Sequence, residues 1–468
     1  MSIGQIGLEI VSGLKGVNNS RTKIFLGILG IFGFWILAKF LAIPPFTVLV
    51  ILGAIGLLAV GFLKPMFGLL IWAGLLSFQI DTNAWLGVNI APADFILLAV
   101  ALGTASRIAN HQLIIPSTKT GKWLLGLVIL FTVGLFVTLN RFGSIPQYAL
   151  INKYFGLLFL ILTFYVVVTL VDSERKFCQL IQTLFWIGVI GNYLALFIYF
   201  LFLANFLPEL FQSLLPMVVE GSRLRGFLLD PNAYGGFITL TLMLQIIYLP
   251  ELPAKMSEPV LPKRRYSILA ILNTISLIVS LFLTFSRSAW LGFAIGLLVL
   301  LFWRRNWGVL SLLIFGAGVM FLGWMIALLP NLDFDYQFFI FRTNTFTDRL
   351  TLIDQGWQLY SQSPIFGIGL GVFHEVAPTI IHNSYIWLLV ELGPLALLLL
   401  LGLFITALKN CLRVSIKSLI SRRLNLFLLV GLVSCYGLAL GIEAFYQRHL
   451  WLLIGLAEAS SRIYERLD

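Results

Sequence analysis

The sequence predicts an all-α, polytopic integral membrane protein with about 12–14 spanning helices, and three observations carry that prediction. The chain is 59% hydrophobic and only 11% charged, where a soluble domain carries about 25% charged residues. Its apolar residues come in long unbroken runs, and because a backbone in lipid must satisfy its own hydrogen bonds, such runs read as helices and exclude a barrel. Basic residues fall between alternate runs, as they do when positive loops stay on the cytoplasmic side. Residues 1–468 then form a single membrane domain, interrupted by one long polar interval, 330–382.

Charge punctuates the runs in order. The first, 24–43, follows Arg21 and Lys23; residues 1–20 lack the short apolar core and small-residue cleavage site of a signal peptide, so this run is expected to stay as a helix. Lys64 separates 45–63 from 65–80, and Arg107, Lys119 and Lys122 separate 91–105 from 122–139. Arg175 and Lys176 divide 147–171 from 176–204, while Lys255, Lys263, Arg264 and Arg265 lie between 233–250 and 267–285. Arg304 and Arg305 part 288–303 from 308–329; Lys409, Arg413, Lys417, Arg422 and Arg423 fall at or between 383–407 and 425–442; Arg462 and Arg466 follow 449–459, the shortest run. With the N-terminus inside, 22 of the 31 basic residues lie on the inner face, and both termini are cytoplasmic.

The nine others, on or near the outer face, are Lys39, Lys153, Arg141, Arg223, Arg225, Arg287, Arg342, Arg349 and Arg448. Seven of them are arginine, whose planar and permanently charged fork matches phosphate and carboxylate oxygens. The outer face therefore reads as built to hold an anion. Arg141 and Arg448, isolated near run ends, are expected to snorkel to headgroups. Lys153 lies inside a run, and the sequence names no partner for it.

Three stretches on the outer side have the makings of a site. Arg223 and Arg225 precede Asp230-Pro231-Asn232, a turn and helix-start signal whose unpaired N–H groups and positive dipole end, set beside two guanidinium groups, form a seat for phosphate. Ser286-Arg287-Ser288-Ala289-Trp290 turns between two runs with almost no loop; Arg287 there needs an anion or water, and Trp290 reads as an interfacial aromatic. In the polar interval, Leu350, Ile353, Trp357 and Leu359 or Tyr360 recur at helical spacing with Arg349 and Asp354 between them, the pattern of an amphipathic helix lying over the outer surface. The run Pro364 to Gly371 then breaks that helix, and its Gly-x-Gly-x-Gly reads as tight chain reversal more than as a phosphate cradle.

His382 stands where the polar interval returns to the membrane face, followed by Asn383. An imidazole with an ordinary pKa near 6.5 can take or give a proton at working pH, and an adjacent asparagine can orient a substrate or ring. His374 offers the same chemistry. The outer carboxylates Asp333, Asp335, Asp348, Asp354 and Glu375 form no paired-aspartate motif, and no cluster with metal-ligand spacing occurs. The expectation is a reaction without metal or other cofactor, in which arginines neutralise an anionic leaving group. Cys178, Cys411 and Cys435 are scattered in or beside apolar runs and read as packing residues.

Arg225 to Asn232, Ser286-Arg287-Ser288-Ala289-Trp290, Pro364-Ile365-Phe366-Gly367-Ile368-Gly369, and His382-Asn383-Ser384-Tyr385 with Glu391-Leu392-Gly393 together resemble the O-antigen ligase and polymerase superfamily. They occur in that family's order over the second half of the chain. The resemblance implies a glycosyltransferase of the bacterial inner membrane with one large periplasmic loop containing short helices, where 330–382 falls. It implies transfer of a glycan from an undecaprenyl-diphosphate carrier to a hydroxyl of a lipid or glycan acceptor. Membrane lipids would be the surroundings, and no nucleic acid is implied. By motif position, Arg287 with Arg223 or Arg225 would grip the diphosphate, Arg342 or Arg349 would add contacts, and His382 would activate the acceptor hydroxyl, with Asn383 and Asn232 in support. Three other readings compete: a polymerase of exopolysaccharide or O-antigen, a transporter of an anion such as inorganic carbon or of a glycolipid, and a non-catalytic scaffold in a polysaccharide export complex. Few ionisable residues lie inside the apolar runs, which favours transfer over transport.

Overall fold

The computed structural model describes residues 45–79, 91–206, 208–212, 214–228, 230–248, 263–304, 349–377, 379–413 and 419–465. The expected helices 24–43 and 308–329, the first part of the polar interval (330–348) and Arg342 within it lie outside the described residues.

Each apolar run within the described residues is a helix. In chain order these are α1 (Pro45–Leu63), α2 (Pro65–Leu75), α3 (Pro92–Ala109), α4 (Lys119–Phe142), a π-helical stretch (Tyr148–Phe155) leading into α5 (Gly156–Leu170), and α6 (Glu174–Leu203). They continue with α7 (Pro231–Tyr248), α8 (Lys263–Leu283), α9 (Arg287–Arg304), α10 (349–360), α11 (Ser384–Arg413), α12 (Leu419–Leu438) and α13 (Arg448–Glu465). Among the described residues, Pro92–Ala109, Lys119–Phe142, Tyr148–Leu170, Glu174–Leu203 and Ser384–Arg413 are long and apolar enough to cross a membrane. The protein is thus an all-α, multi-pass membrane protein. Strand structure among the described residues is one antiparallel ladder, β1 (Val219–Glu220) on β2 (Arg223–Leu224). Outward-facing side chains such as Phe136, Ile190, Phe200 and Leu398 are apolar, as a lipid-facing surface requires.

Local chemistry starts and stops these helices. Proline opens α2, α3 and α7, where its missing N–H costs nothing. Thr118 caps α4 by accepting from the Gly121 N–H, and Gly143 ends it with φ 70°. Ser286 accepts from the Ala289 N–H at the start of α9, and Asn383 Oδ1 accepts from the N–H groups of Tyr385 and Ile386 at the start of α11. Contacts gather the segments before α3, between α4 and the π-helical stretch, between α6 and α7, between α8 and α9, after α10 and between α12 and α13 at one end of the bundle: Arg448 reaches Asp94, Tyr148 stacks on His374, and the Ser384 N–H donates to the Ala439 carbonyl. Contacts across that end, such as Arg223 Nε to the Thr284 carbonyl and Arg349 Nη1 to the Gly441 carbonyl, tie them together.

The glycine-rich run has a structural task there. α11 breaks at Gly393 (φ 81°, ψ 178°), followed by Pro394, which has no N–H to give to Val390. The freed carbonyls of Val390 and Glu391 instead accept from the N–H groups of Ile368 and Gly369 at 2.9 and 3.0 Å, and Glu391 Oε2 accepts from the Gly371 N–H at 2.7 Å. Gly367, Gly369 and Gly371 all have positive φ, and a Cβ at Gly367 would run into the Glu391 backbone. The run is a plug that repairs a broken membrane helix.

α10 is the amphipathic helix expected, but its buried face is rotated. Leu350 and Trp357 are 51% and 56% exposed, whereas Leu352, Ile353, Leu359 and Tyr360 pack on the core around buried Gly356. A Cβ at Gly356 would stand 3.0 Å from Ile381 Cδ1 and 3.4 Å from Val390 Cγ2. The close approach permitted by the missing side chain decides which face is inward.

Candidate functional site

The polar segments gathered at this end enclose a cleft of ≈ 320 Å³ lined by Arg223, Asn232, Phe285, Arg287, Ser288, Leu291, Arg349, Leu350, Ile353, His382, Leu440 and Gly441. Arg223, Arg287, Arg349, Asn232 and His382, separated by up to 159 positions in sequence, thus meet in one place. Arg225, one residue beyond β2, is not among the lining residues.

Each cation is held by backbone that its neighbours shape. Arg223 sits on β2; its Nε donates to the Thr284 carbonyl at 3.0 Å and Nη2 to Asn232 Oδ1 at 3.2 Å. Those two bonds use two of the five guanidinium N–H groups, on a side chain that lines the cleft. Asn232 is in turn oriented by Asp230, whose Oδ1 accepts from both its backbone N–H and its Nδ2. Arg287 is exposed and opens α9, two residues after Phe285, which has φ 48°. A bulky residue held at positive φ is strained, and this one sits on the cleft wall. The α8–α9 turn is further braced by Trp290, whose Nε1 donates to the Leu281 carbonyl while the ring stacks on Phe282. Trp290 therefore packs over the hairpin as well as marking its end. Arg349 is half-buried and anchored by its Nη1 bond to Gly441, at 3.1 Å.

His382 is placed by the chain on either side of it. Asn383 Nδ2 donates to the Leu440 carbonyl, the Ser384 N–H to the Ala439 carbonyl and Ser384 Oγ to the Ile442 carbonyl. The α12–α13 turn is thereby fastened against the residue pair that follows the histidine. Asn383 uses both ends of its amide for this fastening and for capping α11, so its part is to position. The turn was the element that sequence reasoning missed: Gly441 carries no charge, yet it anchors Arg349, and a Cβ there would meet Ser288 Cβ at 2.6 Å.

The electrostatics follow from crowding cations in a half-buried cleft. Burial lowers the pKa of Arg349, and the Arg287 and Arg223 charges lower it further, with Asp230 opposing. Arg223 is lowered by burial, against Asp230 and Glu220. The guanidinium groups stay charged at any working pH; burial is the main cause of both shifts. The pKa of His382 is also lowered, first by burial and then by Arg349, with Asp230 pulling the other way. Its imidazole is therefore neutral near pH 7 and able to accept a proton. Among the described residues no carboxylate lines this cleft, and no three of His, Cys, Asp and Glu converge as a metal-binding group.

Other expected cations lie elsewhere. Arg448 does not snorkel: Nε and Nη2 donate to the two carboxylate oxygens of Asp94 at 2.8 and 2.6 Å, a fork-to-fork pair that a lone arginine in the sequence could not reveal. Lys153 is paired with Glu443 and faces the rings of Tyr148, Trp387 and Tyr446. His374 stacks on Tyr148 with ring centroids 3.8 Å apart and does not line the arginine cleft. Cys411 and Cys435 are buried, Cys178 is partly buried, and all three are free thiols.

A comparison with curated proteins finds no match. Residues 272–401 match the family described as O-antigen ligase. This span runs from within α8 to within α11 and contains Arg287, Arg349 and His382, while Arg223 and Asn232 precede it. Over this span the chain is similar to the O-antigen ligase family.

Proposed function

We propose that this membrane enzyme transfers a glycan from an undecaprenyl-diphosphate carrier to a hydroxyl of a lipid or glycan acceptor, at the arginine cleft. The observation that carries the reading is the convergence of three guanidinium groups and a histidine of lowered pKa on one cleft. Three such cations repel one another until an anion joins them, and a diphosphate has the charge and oxygen geometry to do so. Arg223, Arg287 and Arg349 bind the diphosphate, and Arg342 or Arg225 adds a further contact.

In the reaction His382 takes the proton of the acceptor hydroxyl as its oxygen attacks the anomeric carbon from the face opposite the diphosphate. The bond from that carbon to the diphosphate oxygen breaks, its electron pair leaves with the carrier diphosphate, and the sugar carbon inverts. The guanidinium groups stabilise the developing charge in the role a divalent cation plays elsewhere. Asn232 positions Arg223, and Asn383 positions His382. The positive-inside distribution puts the termini in the cytoplasm and the cleft on the periplasmic side of the inner membrane, with 330–382 as a loop over it.

The glycan profile of a strain lacking the protein tests the reading and separates ligase from polymerase. Long chains stranded on the carrier are expected for a ligase, and single repeats on the carrier for a polymerase. An unchanged profile overturns the transferase reading in favour of transport.

A further inference from the structure

A second cavity, of ≈ 350 Å³, opens on the other side of the α12–α13 turn, lined by residues of α3, the π-helical stretch, α5 and that turn. Its chemistry differs from that of the arginine cleft. Two cations, Lys153 and Arg448, are matched by two carboxylates, Glu443 and Asp94, so the lining has no net charge with which to select an anion or a cation. What remains is a mixture of donors and acceptors. Among the described residues the hydrogen bonds leave Arg448 Nη1, Glu443 Oε2 and the exposed Asn152 amide with capacity to spare. Beside them stand the rings of Tyr148 and Tyr446, and below them the apolar side chains of Phe155, Phe159 and Leu160.

A ligand for such a wall both donates and accepts hydrogen bonds, carries no net charge, and presents C–H faces to aromatic rings. We propose that this cavity binds a neutral sugar residue, with an attached hydrocarbon chain running down past Phe155 and Phe159. The π-helical stretch that carries Tyr148, Asn152 and Lys153 supports a binding role, since such bulges recur at functional sites. On the transferase reading, the two cavities flank one turn: Leu440 and Gly441 line the anion cleft, and Glu443 and Tyr446 line the sugar cavity. The sugar then belongs to the acceptor, because in the donor the diphosphate stands between glycan and hydrocarbon.

The test uses the full chain in nanodiscs and a photoreactive n-decyl β-D-glucoside, read by peptide mapping, with photoreactive decyl phosphate as the anionic counterpart. The glucoside is expected to label 148–160 and 443–448. Labelling should fall at least about fivefold in Asn152→Trp, which fills the mouth, and less in Asn152→Ala, which removes one hydrogen-bonding group. Decyl phosphate labelling at the arginine cleft should be unchanged in both variants, which also shows that they are folded. Glucoside labelling that is absent from these peptides, or that is the same in Asn152→Trp as in the parent, overturns the proposal whatever the arginine cleft does. In a transfer assay, Asn152→Ala should raise the KM for acceptor and leave the donor KM unchanged, as expected for a sugar that belongs to the acceptor. No effect on either would overturn the link to transfer, while glucoside labelling alone decides whether the site exists.

Discussion

Arg349→Gln removes one of the three guanidinium groups and keeps an amide that can still donate to the Gly441 carbonyl. A hydrogen bond to a charged group contributes about 1.5–3 kcal/mol. Arg349 is half-buried and is already disfavoured by Arg287 and Arg223, so the lower end applies. Loss of ~1.5 kcal/mol weakens binding of an undecaprenyl-diphosphate donor roughly tenfold. Stability should change by less than about 1 kcal/mol, because the side chain is partly solvated and its removal relieves like-charge repulsion. The same substitution acts on His382. With the second cause of its lowered pKa gone, the pKa rises toward the ordinary value, and the imidazole becomes protonated at higher pH as the solution is acidified. The acid limb of the rate profile therefore moves up in pH. Asp230→Asn should move it down, since Asp230 opposes the lowering. Titration of donor binding in nanodiscs and a pH–rate profile check both effects. Unchanged donor affinity, or an acid limb that moves down in Arg349→Gln, would refute the reasoning.

Other expectations follow from single contacts. Asn232→Ala removes the oxygen that orients Arg223 Nη2 and should raise the donor KM by about three- to tenfold with a smaller effect on kcat, the signature of positioning. Lys153→Met leaves the partly buried Glu443 without its cation and should cost about 3 kcal/mol in thermal unfolding, the low end for a broken buried pair. Lys153→Met with Glu443→Gln should recover more than half of that loss, because no unpaired charge remains. Gly367→Ala forces a side chain into φ 72° against the Glu391 backbone and should destabilise by roughly 1–3 kcal/mol, seen as a lower melting temperature in the same nanodiscs.

The helices were legible in the sequence because lipid permits so little else. The runs 45–63, 147–171 and 288–303 coincide with helices to within a residue or two, since charge or proline bounds them. The cations of the site were legible too, because an outer face rich in arginine needs an anion. Their partners were not. Asp94 lies 354 positions from Arg448 and Glu443 lies 290 from Lys153, and no local pattern connects them. The face of α10 was misread for a related reason: Gly356 registers as a gap in an apolar pattern, but in the packed protein it is the point of closest approach. The π-helical stretch likewise follows from packing around Lys153, which periodicity cannot see.

The central claim is that His382 performs the chemistry in a cleft where arginines hold the donor. It is tested most directly by His382→Gln in the full chain in nanodiscs, with donor binding and glycan transfer measured on the same preparation. The expected result is donor affinity within about twofold of the parent and transfer reduced by about 10²–10⁴-fold, the usual worth of a general base. Transfer that survives the substitution at the parental rate would contradict the account.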